Sequence, residues 1–382
     1  MRFLLADKKI LFIINVDWFF VSHRLPIALK AISQGYNVTI ACHFTTHRRE
    51  IEEMGLKTIE VPFNRSGSGF FNEIKTLFLL RRIIRLEKPS VVHAVTIKPV
   101  LYSGLVLKTI CDKISFVAAI SGLGYVFTAD NLRAKLTRII ASIFYKVSLS
   151  HDKKIVIFQN ASDESILTSV ANIKSEQKVL IKGSGADLKT YNYTQENCSQ
   201  NIKVVMACRL LREKGVYEFV EAARQVKRRF PGSKFLLVGA PDLDNPNTVT
   251  QHEIDQWIEE NLIIYLGQRM DIPLIFSESN IVCLPSFYGE GVPKVLIEAA
   301  ACGRAIVTTD NPGCRDAVKN GITGLCVPVK DVNALAAAII KLIENPKLRQ
   351  EMGASARIFA ENEFDVKAVV DKHLKIYQHL LS

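Results

Sequence analysis

The chain has 382 residues, of which 48% are hydrophobic, 23% charged and 8% aromatic. It is too long for one ordinary core, has ample apolar material for two, and is excluded from the disordered class. Its formal net charge of +11 is confined to one half, since residues 1–180 hold 25 Lys/Arg and 14 Asp/Glu and residues 181–382 hold 24 of each.

Such asymmetry fits a basic domain facing a polyanion or an anionic membrane, and equally a solvated basic surface. In chain order, the start is apolar but broken by Asp7, Lys8 and Lys9, so it reads as the lead-in to a buried strand and not as a signal peptide. Val- and Ile-rich runs then predict strands at 10–16, 37–42, 57–61, 90–94, 115–119, 154–158 and 178–181, separated by helical stretches at 24–33, 71–86, 100–110 and 132–148. The longest uncharged stretch, 114–129, is too short for a bilayer span and contains Ser121-Gly122-Leu123-Gly124, which suits a turn. Two of the helices, 70–85 and 132–140, set Lys and Arg beside large apolar residues. That pattern fits either an interfacial membrane helix or an ordinary crossover helix with a basic outer face.

A polar interval at 189–201 reads as a linker or its near neighbour. Strands resume at 202–207, 234–238, 262–265, 281–284, 305–308 and 324–327, and helices at 331–343, 346–360 and 365–381 end the chain. The expected fold is α/β, with two doubly wound Rossmann-like domains facing across a cleft. Their expected bounds are 1–188 and 189–362, with 363–382 a helix that returns to the first domain. Eight scattered cysteines (42, 111, 198, 208, 283, 302, 314, 326) form no close pairs and read as reduced core residues of a cytoplasmic protein.

In open α/β sheets ligands sit beyond the carboxyl ends of the strands. After the strand at 281–284, Gly291, Val292 and Pro293 form a turn into a helix whose free amides suit a pyrophosphate. Glu290 before that helix and Glu298 within it are acceptor-only groups that suit sugar and ribose hydroxyls. After the strand at 202–207, Arg209 and Lys214 can offer two cations to one pyrophosphate, whose charge on leaving needs neutralising.

Taken together, Arg209-x4-Lys214, Glu290-x7-Glu298 and Tyr265-Leu266-Gly267 resemble the motifs of family 4 retaining glycosyltransferases of the GT-B fold, over nearly the whole chain. Asp17 to Pro26, Thr96-Ile97-Lys98-Pro99 and Ser121 to Tyr125 are similar to the amino-terminal motifs of bacterial enzymes that add N-acetylgalactosamine or a related hexose to an undecaprenyl-diphosphate-linked sugar. The resemblance implies that Arg209 and Lys214 bind the donor diphosphate, Glu290 the transferred sugar and Glu298 the ribose, while the backbone at Gly267, Gln268 and Arg269 holds uracil. It further implies a UDP-sugar donor, a lipid-linked acceptor, work at the inner face of the cell membrane in surface-polysaccharide assembly, and no metal or other cofactor. Nucleic acid is not an expected partner.

On the acceptor side, many members carry a histidine a few residues beyond the strand that ends near His93, where this chain departs and reads Ala94-Val95-Thr96-Ile97-Lys98. Either His93, as a catalytic residue, or Lys98 serves the acceptor, or neither does, and His93 reads equally as a satisfied strand-end histidine. His23 and Arg24 open a helix that could meet a phosphate, and Gly122 and Gly124 make a turn beside it. Asp242-Leu243-Asp244 imitates a metal-binding D-x-D but reads as a solvated loop. A UDP-sugar epimerase or a non-catalytic sugar-nucleotide binder are the alternatives. A dinucleotide oxidoreductase is disfavoured, because Asn15-Val16-Asp17-Trp18-Phe19 stands where G-x-G-x-x-G belongs.

Overall fold

The computed structural model describes residues 8–63, 69–110, 113–124, 132–196, 201–242 and 245–382. Cys111, Tyr125, Cys198 and Asp244 lie outside the described residues, as do the side chains of Arg133 and Lys135. The chain divides into two compact units, Met1–Ser184 with Lys367–Ser382, and Gly185–Val366.

The described residues of the first unit form a parallel sheet in the order β3-β2-β1-β4-β5-β6-β7. Its strands are β1 (Lys9–Val16), β2 (Asn37–His43), β3 (Lys57–Glu60), β4 (Val91–Val95), β5 (Ser115–Ile120), β6 (Lys154–Phe158) and β7 (Lys178–Leu180). Between them run α1 (Asp17–His23), α2 (Leu25–Ser33), α3 (Arg48–Glu53), α4 (Phe70–Glu87), α5 (Ile97–Leu107), α6 (Leu132–Ser148) and α7 (Ala161–Ala171). Ile10 to Ile14 of β1 are at most 1% exposed, the continuous apolar run that a parallel strand covered on both faces requires. Leu11 and Ile13 join Val92, Ala94, Phe116 and Ala118 in a core closed by α4, α5, α6 and α7. His23 ends α1, and does not open a helix as expected, because the chain breaks at Arg24 before Pro26 restarts it in α2.

The second unit carries β8 (Lys203–Ala207), β9 (Lys234–Val238), β10 (Ile264–Gly267), β11 (Ile281–Leu284), β12 (Ala305–Thr309) and β13 (Gly324–Val327) in the order β10-β9-β8-β11-β12-β13. Its helices are α8 (Val216–Arg229), α9 (Gln251–Glu259), α10 (Ile272–Ser277), α11 (Lys294–Ala301), α12 (Pro312–Asp316), α13 (Val332–Glu344) and α14 (Pro346–Glu363). The last helix, α15 (Val366–Leu381), leaves this unit at its first residue and packs on the first unit. There it covers the sheet face opposite α4 to α7: Tyr377 shares a 2.6 Å hydrogen bond with His93 of β4, and Ser115 donates to the Leu380 carbonyl at 3.2 Å.

The described part of the polar interval, residues 189–196, is a strap pinned to the second unit by three arginines. Arg357 donates to the carbonyl of Tyr191 at 2.9 Å, Arg304 to the Thr194 hydroxyl at 3.1 Å, and Arg349 pairs with Glu196 at 2.6 Å with both side chains at most 5% exposed. Its composition suggested solvation because its polar groups are satisfied by guanidinium forks that lie far along the chain.

Candidate active site

In the second unit the strand order reverses between β8 and β11, the position at which a doubly wound sheet opens a crevice at its carboxyl edge. Both charged motifs lie there. Lys214 closes a short turn, Arg212–Lys214, and Gly215 follows in the left-handed region at φ 82°. A Cβ on Gly215 would stand 2.2 Å from the Pro285 carbonyl oxygen, so the turns after β8 and β11 meet only because glycine is there.

That approach brings the predicted cation and acid into contact. Lys214 Nζ lies 2.5 Å from Glu290 Oε2, with the side chains 16% and 11% exposed. Ser286 donates to the other oxygen, Oε1, at 2.6 Å, and the Phe287 amide ties the turn to the Glu213 carbonyl at 3.0 Å. Arg209 pairs with Asp242 at 2.9 Å. Asp242, read from the sequence as part of a solvated loop, is 13% exposed in its side chain and holds this cation.

The turn from Pro285 to Pro293 is fixed from below by the next strand. Thr308 donates to the Leu284 carbonyl at 2.7 Å, and Thr309 and Asn311 donate to the carbonyls of Ser286 and Tyr288. Gly313 in α12 backs the same turn: a Cβ there would come 1.6 Å from the Gly291 carbonyl oxygen. Val292 is buried behind it, and Pro293 caps α11 without a side-chain hydrogen bond.

Glu298, one turn into α11, is 7% exposed and pairs with Lys294 at 3.1 Å. It also accepts a hydrogen bond from Tyr191 of the strap. Burial, then the charge and hydrogen bond of Glu298, push the Tyr191 phenol well above its ordinary range, so it stays a donor. At the end of β10, Gly267 takes φ 66°, its carbonyl accepts the Gly239 amide at 2.8 Å, and Gln268 and Arg269 are exposed, Arg269 paired with Asp271 at 2.6 Å.

The first unit treats its predicted residues differently. His93 is 0% exposed, packs tilted against Phe12 at 4.8 Å and stacks on the ring of His373 at 5.7 Å. It supports α15 through its hydrogen bond with Tyr377. Burial, then the charges of His373 and Arg24, hold its pKa well below the ordinary value, so it stays neutral. These contacts match the satisfied strand-end histidine and not the catalytic residue expected as its alternative. Arg24 is 2% exposed and donates to the His23 carbonyl at 2.9 Å, so it too lies inside the unit. His23 stacks on Phe19 at 4.1 Å.

Lys98 pairs with Glu73 of α4 at 2.9 Å, and Tyr102 donates to the same carboxylate. Gly122 (φ 110°) and Gly124 (φ 68°) make the expected turn after β5. Asp17, in the amino-terminal motif, is 0% exposed and accepts from the amides of Thr45 and His47 at 2.7 and 2.8 Å. Burial alone would raise its carboxyl; those hydrogen bonds outweigh it, and the group titrates below its usual range.

Sequence reasoning passed over Ser286, Tyr191 and Glu73, and met Thr96 only as part of a motif. Ser286 stands four residues from Glu290, and Tyr191 is one of two aromatics in a polar run, so each left a faint signal. Thr96, between β4 and α5, adopts φ 74°, a strained conformation for a β-branched residue, and its buried hydroxyl makes no hydrogen bond.

Residues 9–160 match the family model Glycosyl transferase 4-like and residues 194–359 the model Glycosyl transferases group 1. The chain is 28% identical over 370 residues to N,N'-diacetylbacillosaminyl-diphospho-undecaprenol alpha-1,3-N-acetylgalactosaminyltransferase of Campylobacter jejuni, covering 94% of this chain and 95% of that one. It is 21% identical to UDP-Gal:alpha-D-GlcNAc-diphosphoundecaprenol alpha-1,3-galactosyltransferase of Escherichia coli, covering 90% and 89%. A solved glycosyltransferase from Rickettsia africae shares the fold with TM-score 0.77 at 20% identity, over 98% of this chain and 99% of that one. The chain is thus a glycosyltransferase of the GT-B fold, its first unit of the 4-like kind and its second of group 1.

Proposed function

We propose that the protein is a retaining hexosyltransferase that moves N-acetylgalactosamine or another N-acetylhexosamine from its UDP form to an undecaprenyl-diphosphate-linked saccharide, at an anionic membrane surface, in surface-polysaccharide or glycan assembly. The observation that carries the reading is the Lys214–Glu290 pair at the β8/β11 reversal, with Arg209 beside it. The acceptor and donor classes are those named in the Campylobacter jejuni and Escherichia coli relatives.

In this scheme Arg209 and Lys214 take the donor diphosphate and neutralise the charge that grows as it leaves. Glu290, freed from Lys214 when the diphosphate claims that cation, accepts from a sugar hydroxyl. Glu298 accepts from the ribose, the α11 amides and the turn at Gly291 to Pro293 meet phosphate or sugar oxygens, and the backbone from Gly267 to Arg269 holds the uracil. The acceptor enters on the same face as the departing diphosphate, which takes its proton. His23, Lys98 and the Gly122 and Gly124 turn border the acceptor.

The test is product mass analysis across a panel of UDP-sugars and polyprenyl-diphosphate saccharides. Transfer that requires both substrates is expected. UDP release or sugar isomerisation without acceptor would replace this reading with an epimerase, and turnover of no donor would leave a binding protein.

A further inference from the structure

The first unit displays apolar surface that its own core does not use. On α6, Ile139, Ile140, Ile143, Phe144 and Val147 are 59, 48, 58, 46 and 39% exposed. At about 100° per residue these positions fall within one arc of roughly 140°. Tyr145 and Ser148, on the other side of the helix, are buried at 1% and 0%.

The roll of the helix is fixed by its packing. Gly104 of α5 approaches so closely that a Cβ there would stand 2.3 Å from the Ser148 carbonyl oxygen, and Ser148 Oγ donates to the Leu101 carbonyl at 2.9 Å. Turning the apolar stripe inward would require α5 and α6 to separate.

The other neighbour of α5 is α4, whose outer face has the complementary composition. Phe71, Phe78 and Leu86 are 79, 67 and 69% exposed, and Lys75, Arg82 and Arg85 are exposed among them. These six positions share an arc of roughly 100°. Because α4, α5 and α6 bury their inner faces in one core, both stripes lie on the same side of the unit, about 16–20 Å apart at usual helix spacings.

An apolar stripe alone would also suit a second copy of the chain. The interleaving of Phe with Lys and Arg on α4, in the half that holds the whole charge excess, matches instead a surface that is anionic at the headgroups and apolar just beneath. We propose that the α6 stripe inserts into the acyl boundary of an anionic bilayer while the α4 cations sit on its headgroups. The inference rests on the membrane reading above and goes beyond it in assigning insertion to α6 and charge contact to α4.

The experiment is flotation of the full chain with phosphatidylcholine vesicles, with and without phosphatidylglycerol. Wild type should float with the phosphatidylglycerol vesicles. Ile143→Asp with Phe144→Asp should weaken that binding at least about tenfold and leave turnover of a short-chain, water-soluble acceptor unchanged. Lys75→Glu with Arg82→Glu and Arg85→Glu should abolish the preference for phosphatidylglycerol. As a conservative probe of insertion, Phe144→Trp should blue-shift its emission on adding these vesicles.

Undiminished flotation of the α6 double variant, or no blue shift at Trp in that position, overturns the assignment to α6 while leaving the membrane reading standing. Wild type that floats with neither vesicle removes the membrane reading itself. A solution dimer that the α6 double variant dissociates would assign the stripe to a second copy and also overturn the proposal.

Discussion

The two units have similar sheets, each reversing its strand order beside its first strand, yet they employ polar residues at the carboxyl edge in opposite ways. In the second unit the edge presents part-exposed charge: Lys214 on Glu290, Arg209 on Asp242, Lys294 on Glu298. In the first, Asp17, Arg24 and His93 are at most 2% exposed and secure a loop or the last helix. The difference separates a surface organised for a charged ligand from one whose charged side chains were drawn into the fold. Among the described residues, Lys98 stays at that edge, paired with Glu73, while Lys75, Arg82 and Arg85 stand on the outer face of α4.

Substitution at the two edges is the severest way to break this contrast. Lys214→Ala and Glu290→Gln should each lower kcat by about 10²–10³, the usual loss when one group stabilising a developing charge is removed, while thermal stability changes little. Phenylalanine in place of His93 should do the reverse, lowering the melting temperature and sparing kcat. A His93 variant that stays stable but loses kcat, measured by initial rates beside a melt, would show that the first unit's edge is chemical after all.

A smaller effect should follow from crowding the donor turn. Gly313→Ala places a methyl against the Gly291 and Glu290 carbonyls, and overpacking of this kind costs about 1–3 kcal/mol. The turn that carries Glu290 must then move, so KM for the donor should rise together with the fall in melting temperature. An unchanged KM would mean that the turn relaxes without disturbing the site.

Acid should act on the first unit's buried interior. Burial, then the charge of Arg24, lowers the pKa of His373 to about 3, only partly offset by its hydrogen bond to the Val369 carbonyl, and His93 is lowered as well. Arg24, Tyr36 and Tyr377 are the titratable groups packed with this pair. With folded pKa values below the unfolded value of about 6.5, the unfolded chain binds more protons, so stability is complete above that pH and lost as pH falls toward about 3. The slope is about 1.4 kcal/mol per pH unit for each histidine. Melts between pH 7 and pH 5, at roughly one-unit steps, should fall less steeply for His373→Gln than for wild type.

Much of the fold was legible because parallel strands buried on both faces announce themselves as apolar runs: β6, β9, β11 and β13 begin and end where the sequence predicts. The donor motifs were legible because strand-end placement and local spacing confine them to one crevice. What escaped depends on partners distant in sequence. His93 read equally as an acceptor-side residue and as a satisfied strand-end histidine until Tyr377, 284 residues away, met it, and the interval at 189–201 read as a linker or its near neighbour until Arg304, Arg349 and Arg357 were seen to hold its described part.

Tyr191 is the residue through which that strap touches the proposed donor site, and the effect expected there is the smallest. Its hydroxyl donates to Glu298, whose other named partner is Lys294 at 3.1 Å, so removing it should leave the carboxylate held from one side only. A hydrogen bond to a charged group contributes on the order of 1–3 kcal/mol; with Lys294 still in place, Tyr191→Phe should cost about 1 kcal/mol, or about fivefold in donor KM, with kcat preserved. Because Glu298 is assigned to the ribose, the loss should appear with UDP and shrink with a 2'-deoxy analogue that offers one hydroxyl fewer. Equal losses with both nucleotides would make Tyr191 a general support for α11. No loss from Tyr191→Phe beside a large one from Glu298→Gln would keep the carboxylate in the site and remove the strap from it.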